Sequence, residues 1–317
     1  VPTGLLVLSL LLAGVHSTPG GTAAPVPAGV AGTAAAPPAG QPHLTVEARP
    51  DRLVVRVNGA LFTEYQFGPE TKYPHFYPVL GPRSGRTVTA RQTEPYPHHS
   101  SIFFACDRVN GGNYWQEGLE HGRIVSRAVR VLRDRGERVE FEQDCVWERP
   151  GAESPFDDHR RVVITAPEAD VRFIDFEVRL TAHGAVKIEK TNHSLFAVRV
   201  APDLAVSGGG VLVNARGQRA EAGTFQQPAA WMVFGARRGE VWESVALFTH
   251  PANRWYPEPW FTRDYGFMSP TPLNWLPADG LRFAPGERLR LRYRVVVAAR
   301  APDAPCWREW FGAWAAE

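Results

Sequence analysis

Two short stretches of this chain carry side chains that a packed core has no use for. The first, Tyr96 to Trp115, sets His98, His99, Asp107, Arg108, Asn110, Asn113 and Trp115 around one apolar run, Ile102 to Ala105. The second, His250 to Tyr265, sets His250, Asn253, Arg254, Trp255, Tyr256, Trp260, Arg263, Asp264 and Tyr265 in a proline-rich segment. Histidine takes or gives a proton near neutral pH, and carboxylates and amides beside it can hold a polar ligand. The two stretches are expected to meet in space and form one pocket.

Within that pocket His98, His99, His250 and Asp264 are the candidate catalytic groups. Asn110, Asn113, Trp115, Glu117, Asn253, Arg254, Trp255, Trp260, Arg263 and Tyr265 are the candidate substrate-binding groups. Consecutive side chains of an extended segment point to opposite sides, so one of His98 and His99 should face the pocket while the other serves structure. Asn110 and Asn113 bracket two glycines, which suits either a tight turn or amides aimed at sugar hydroxyls. Trp115 is either a stacking platform for a sugar ring or a core side chain. Glu117 and Glu120 are candidate acids, Glu120 with an exposed-loop role as its alternative. His250 ends an apolar strand before Pro251, at a sheet rim where ligand-binding loops gather. Arg254 among Trp255, Tyr256 and Trp260 would suit an anionic sugar. Arg263 and Asp264 are expected to organise the rim.

This set fits acid–base work on a saccharide: hydrolysis, β-elimination or epimerisation. A two-carboxylate glycosidase is also open, with no pair nominated. No cofactor is predicted and no metal ligands are assigned. A metal ion would need His98 or His99, His250 and a carboxylate to converge, and no spacing demands it. The chain holds no CxxC or HExxH motif, which argues against structural zinc.

The elements that must position these groups read as β throughout. Leu44 to Ala48 and Arg52 to Val57 alternate, the latter turning at Asn58-Gly59 into a return strand from Leu61 to Phe67. Further strands are expected over 101–105, 122–132, 138–148, 160–165, 173–181, 186–191, 196–200, 211–214, 230–236, 242–249, 266–269 and 288–298. Only Pro305 to Ala316 looks helical. There is no βαβ rhythm, no glycine-rich nucleotide loop and no internal repeat. Many strands with polar-out alternation predict an all-β fold, a single large antiparallel β-sandwich of two extended sheets with a short C-terminal helix.

The 317 residues carry a formal net charge of +2 with scattered arginines, which speaks against nucleic acid as a partner. Three cysteines are a poor basis for a disulfide framework: Cys106 and Cys145 fall in expected strands as free thiols, and one bridge is open if the protein is exported. Leu5 to Val15 is an apolar run too short to span a bilayer, with Val15-His16-Ser17 a signal-peptidase site, so residues 1–17 read as an export signal. The chain begins with Val, so a non-ATG start is written literally or the true start lies upstream. Residues 18–42 read as a disordered Pro/Ala/Gly linker, and 43–317 as the single β-sandwich domain. A periplasmic or extracellular location is expected. No other segment is apolar enough to cross a membrane.

Tyr77-Pro-Val-Leu-Gly-Pro, Pro97-His-His-Ser-Ser-Ile-Phe-Phe, Val109-Asn-Gly-Gly-Asn-Tyr-Trp, Gly122-Arg-Ile-Val, His250-Pro-Ala-Asn and Arg263-Asp-Tyr-Gly follow one another in an order that resembles a bacterial family filed as "methane oxygenase PmoA". The resemblance spans roughly residues 44–300. It implies a soluble protein with the β-supersandwich fold of galactose mutarotases, set among polysaccharide degraders, with an oligosaccharide or sugar-derived partner. The membrane oxygenase of that name is a different kind of protein. The chain departs from the pattern at Ser100, where many relatives carry Arg, at Phe103 or Phe104, where many carry Trp, and at Cys106-Asp107-Arg108, where relatives often read His-Gly-Asp. The roles of that Arg and that further His do not carry over. Three function classes follow: an exported carbohydrate-active enzyme, a non-catalytic glycan-binding protein of the same fold, and, least supported, an oxygenase.

Overall fold

A computed structural model describes residues 42–116 and 118–317. The expected signal, residues 1–17, nearly all of the expected linker, residues 18–42, and the candidate Glu117 lie outside the described residues.

Strand alternation and turn chemistry build the fold from the N-terminal side. Arg52–Val57 reverses into Ala60–Gln66 through Asn58 and Gly59, whose φ angles of 51° and 81° are the left-handed pair a two-residue hairpin requires. The strands assemble into two large antiparallel sheets. One has nine strands, in the order Trp260–Arg263, Phe267–Pro270, Ser194–Arg199, Ile102–Cys106, His75–Val79, Ala60–Gln66, Arg52–Val57, Leu44–Arg49 and Arg135–Gly136. The other has eight, in the order Val211–Asn214, Trp231–Arg238, Val241–Thr249, Arg288–Ala298, Val171–Ala182, Phe156–Glu168, Arg138–Glu148 and Arg123–Arg133.

The sheets pack face to face. Phe104 and Phe196 of the first meet Phe176 of the second, with ring centroids 6.2 and 5.1 Å apart, and Phe196 stacks on Tyr293 at 4.7 Å. Inside this core Asp158 and Arg160, two residues apart on one strand and therefore on one face, form a bidentate pair at 2.9 and 2.7 Å that is almost wholly buried. Trp147 Nε1 donates a further bond to Asp158 at 3.0 Å. The outer face of the eight-stranded sheet is covered by the helix Cys306–Ala315, which seats Trp307 and Trp314 among Phe173, Trp231, Phe248 and Val296.

Since Phe104 and Phe196 face inward, alternation turns Phe103 and Arg199 outward, and Phe267, opposite Arg199 in the register, joins them. This outer face of the nine-stranded sheet is roofed in part by Tyr73 and Trp115, both 4.7 Å from the Phe103 ring. The candidate functional site lies here.

Most expected strands form within a few residues of their expected limits, and Pro305 to Ala316 contains the helix Cys306–Ala315. Four strands of the site side have no counterpart in the sequence reading: His75–Val79, Arg91–Thr93, its partner Tyr96–Ser100, and Trp260–Arg263. They carry proline, histidine or flanking loop residues that break the period-2 pattern. Cys106, Cys145 and Cys306 are all free thiols, so no bridge joins them. Among the described residues no helix is long and apolar enough to cross a membrane.

Candidate functional site

Among the described residues Tyr96–Ser100 pairs only with Arg91–Thr93, and the register slips so that Pro97, His98 and His99 oppose the single residue Gln92, which has φ 53°. A bulge of this kind twists a strand and re-aims its side chains. The expected opposition of His98 and His99 is lost in consequence: their rings meet edge to face at 4.5 Å, and both wall one cavity of about 310 Å3. Tyr96, Gln116, Asn192, His193, Phe261, Arg263, Tyr265 and Phe267 complete the wall. His98 and Gln116 also border a second cavity, of about 900 Å3, with Tyr73, His75, Arg91, Ser100 and Trp115. The two spaces meet at His98 and Gln116, and both sizes suit small-ligand binding.

His193 is the group that sequence reasoning missed. It immediately precedes the strand Ser194–Arg199, and Asp107 immediately follows its partner Ile102–Cys106, so the pair prolongs the ladder beyond Ser194 and Cys106. The Asp107 amide donates to the His193 carbonyl at 3.0 Å, and the side chains meet with Nδ1 3.1 Å from Asp107 Oδ2. Asp107 is nearly buried while His193 stays a quarter exposed. A carboxylate at Nδ1 fixes the proton there and leaves Nε2 as the proton acceptor. Trp115 supports the imidazole from 5.8 Å, and His98 lies 5.5 Å away.

Burial sets the charge state of the neighbours. It lowers His98 to about 4, assisted by His193 and opposed by Asp107. It lowers His99 to about 2, assisted by His98 and Arg199, and His99 stacks on Phe267 at 4.4 Å and Tyr96 at 5.3 Å. Both rings are neutral at pH 7, so neither titrates near neutrality as expected of an unperturbed histidine. Tyr265 is pushed up by burial and by Tyr96, and keeps its phenol proton.

Polar atoms without partners gather here. Of ten buried side-chain nitrogen and oxygen atoms that lack a hydrogen-bond partner among the described residues, five belong to His99, Asp107, Trp115 and Arg199. Such atoms are rare in folded proteins; His99 lines the smaller cavity and Trp115 the larger, while Asp107 and Arg199 lie behind the wall, against His193 and Tyr265.

The other candidates fall in different places. Asn113 accepts from the amides of Trp115 and Gln116 at 3.1 and 2.9 Å and so positions Gln116 rather than lining the cavity. Asn110, with φ 48°, bonds the backbone of Ala185 and Lys187. Trp115 is wholly buried, a floor instead of an open stacking face. Arg263 lines the cavity and pairs with Glu221, whose amide and carboxylate also hold Asp264 at 2.7 and 3.1 Å. Tyr265 stacks on Tyr96 at 4.6 Å, which is where the two sequence stretches meet.

The remainder of the second stretch lies elsewhere. His250 packs on Trp314 of the C-terminal helix at 4.9 Å, with Arg292 Nη1 2.7 Å from its Nε2, on the far side of the sandwich from His98. Burial and Arg292 lower it to about 4. The convergence of His98 or His99 with His250 that a metal ion would have needed is therefore not formed. Among the described residues no group of three His, Cys, Asp or Glu side chains is arranged to hold a metal. Asn253 bonds Thr249 and the Arg292 backbone. Arg254 lies over Trp255 and 3.5 Å from Glu287. Trp260 is buried, donating to the Ala229 carbonyl at 2.8 Å.

Solved structures overlap this chain broadly and loosely. A galactose mutarotase related enzyme from Lactobacillus acidophilus covers 81% of this chain and 98% of its own, at 9% identity and a TM-score of 0.32. An aldose epimerase homologue from C. elegans covers 81% and 98%, at 10% identity and a TM-score of 0.31. An aldose 1-epimerase candidate from Escherichia coli K12 covers 81% and 99%, at 10% identity and a TM-score of 0.36. The functional reading accordingly rests on the side chains described above. Among curated proteins nothing matches. A family model matches residues 52–309, that of the family of unknown function DUF6807, and nothing in the match supports the methane-oxygenase name.

Proposed function

For a chain that belongs to the family of unknown function DUF6807, we propose a carbohydrate-active enzyme that moves a proton at a saccharide, with His193 as the base and Asp107 as its partner. The observation that carries this reading is the His193–Asp107 contact of 3.1 Å, with His193 on the wall of the smaller cavity and Asp107 behind it. A proton taken at Nε2 makes an imidazolium, which the Asp107 carboxylate stabilises. The wall alternates aromatic rings with the amides of Gln116 and Asn192. A sugar presents an apolar ring face and a hydroxyl edge, and suits such a wall. Neutral His98 and His99 fit hydrogen bonding to those hydroxyls.

The described lining of this cavity includes no Asp or Glu. That favours elimination or epimerisation, which can start from a single base, over hydrolysis by two carboxylates. Export is part of the proposal and rests on the apolar run Leu5 to Val15 and the small residues after it. A non-catalytic glycan-binding protein is the second reading, favoured by the low basicity of His98 and His99.

The test is to incubate the purified protein and its His193→Gln variant with a panel of plant and algal oligosaccharides and to read products by mass spectrometry. The wild type is expected to give a new product, and the variant to be slower by roughly 100-fold or more, with its ligand-induced rise in Tm retained. Unchanged glycans that still raise Tm would move the assignment to the binding protein.

A further inference from the structure

Arg199 closes a strand, Ser194–Arg199, in which every residue is buried. It is itself 5% exposed, and its Nε and Nη1 lack any hydrogen-bond partner among the described residues. Other arginines buried as deeply are anchored: Arg160 by Asp158, Arg238 by Asp203 and Glu243, Arg294 by Asp175, and Arg172 by backbone carbonyls. Leaving a buried guanidinium without a counter-charge is costly, and the described residues supply Arg199 with none.

The direction from which a counter-charge would arrive is given by the neighbours. The Arg199 guanidinium lies 4.4 Å over the Tyr265 ring, and Tyr265 stacks on Tyr96 at 4.6 Å. Both rings, with His99, wall the smaller cavity; Arg199 itself stands behind the Tyr265 ring, outside that lining, and its charge reaches His99 on the wall. Arg263, the cation in the described lining, is already paired with Glu221. We propose that the cavity takes an anionic saccharide, carboxylated or sulfated, whose charge is met by Arg199. This rests on the saccharide reading above and names its substrate class. The Tyr265 phenol, which keeps its proton, is a donor on the cavity wall, and the Arg199 guanidinium behind its ring supplies the opposite charge.

Calorimetry of the purified protein with an oligogalacturonate, its fully methyl-esterified form and a sulfated oligosaccharide of equal length tests this. The free acid or the sulfate is expected to bind at least about tenfold more tightly than the ester, and the tighter of the two anions names the group recognised. Arg199→Met is expected to erase that margin while ester binding persists, and Arg199→Lys to restore part of it. Equal affinity for ester, acid and sulfate overturns the anionic assignment and leaves the saccharide reading intact. Binding of no saccharide overturns the saccharide reading itself, and the anionic assignment with it. The comparison of acid with ester uses the wild type alone, so the result stands even where a variant fails to fold.

Discussion

Asp107 is the residue on which the proton-transfer reading turns. Its carboxylate contacts His193 Nδ1 across 86 residues of sequence, and its second oxygen is buried without a partner. Asp107→Asn preserves shape and removes the charge that would stabilise a protonated His193. Turnover in that variant is expected to fall by roughly 10²–10⁴-fold with ligand affinity little changed, as steady-state kinetics alongside calorimetry would show. Conserved affinity with unchanged turnover would assign the pair a purely structural role. Sequence reasoning reached His98, His99, Arg263 and Tyr265 because each sits in a conspicuous polar cluster. It passed over His193 because a lone Asn-His-Ser between two strands says nothing about Asp107 until the strands are paired. Arg199 left a clearer signal, a charge inside the apolar run Leu195 to Val200.

At the scale of elements, period-2 patterning located the long strands of the eight-stranded sheet, where one face is core and the other solvent or helix. It failed on Tyr96–Ser100, where a bulge and Pro97 replace alternation, and on Trp260–Arg263, a short strand preceded by Pro257 and Pro259 whose first three residues are all buried. The sheets are also tied at a second place that the pattern did not reveal. Glu243 is fully buried and accepts from the amides of Arg83 and Ser84 at 3.0 and 2.8 Å, from Ser84 Oγ at 2.6 Å and from Arg238 at 3.0 Å. Those donors hold its carboxyl below the usual carboxylate range against the opposing effect of burial. The clasp needs Gly81, since a Cβ there would stand 2.3 Å from Glu243 Oε2. Gly81→Ala is therefore expected to lower stability by about 2 kcal/mol or more, read as a shift of the urea midpoint with an unchanged slope. An unaltered midpoint would mean that the clasp yields without loss.

The whole molecule should weaken on acidification. Burial holds His75, His98 and His250 at about 4 and His99 at about 2, all below the ordinary histidine value of 6.5. Between about 6.5 and 4 the unfolded chain binds protons at these positions and the native state does not, so stability rises with pH across that window and is lost as pH falls through it. Each fully shifted group contributes roughly 1.4 kcal/mol per pH unit. Glu258 has the opposite sign: burial raises it, so its share of stability is lost as pH rises above the unfolded carboxylate value. Four histidines against one glutamate give a net decline in Tm from pH 7 to pH 5. His75→Gln, which removes a buried histidine of the larger cavity wall and leaves the His193–Asp107 pair in place, should flatten the slope; a slope untouched by that change would place the proton uptake elsewhere.

The strand Ser194–Arg199 also works as a ruler. His193 stands just before its first residue and Arg199 is its last, six positions on, which in extended chain is roughly 20 Å between Cα atoms. The positive φ of 69° at Leu195 bends this span without closing it. The side chains close part of that distance: His98 stands 5.5 Å from the His193 ring and 4.5 Å from His99, and His99 lies 6.2 Å from the Tyr265 ring that covers Arg199. The proton acceptor and the unpaired cation therefore stand at the two ends of one aromatic row. A ligand engaging both is measured for length as well as charge.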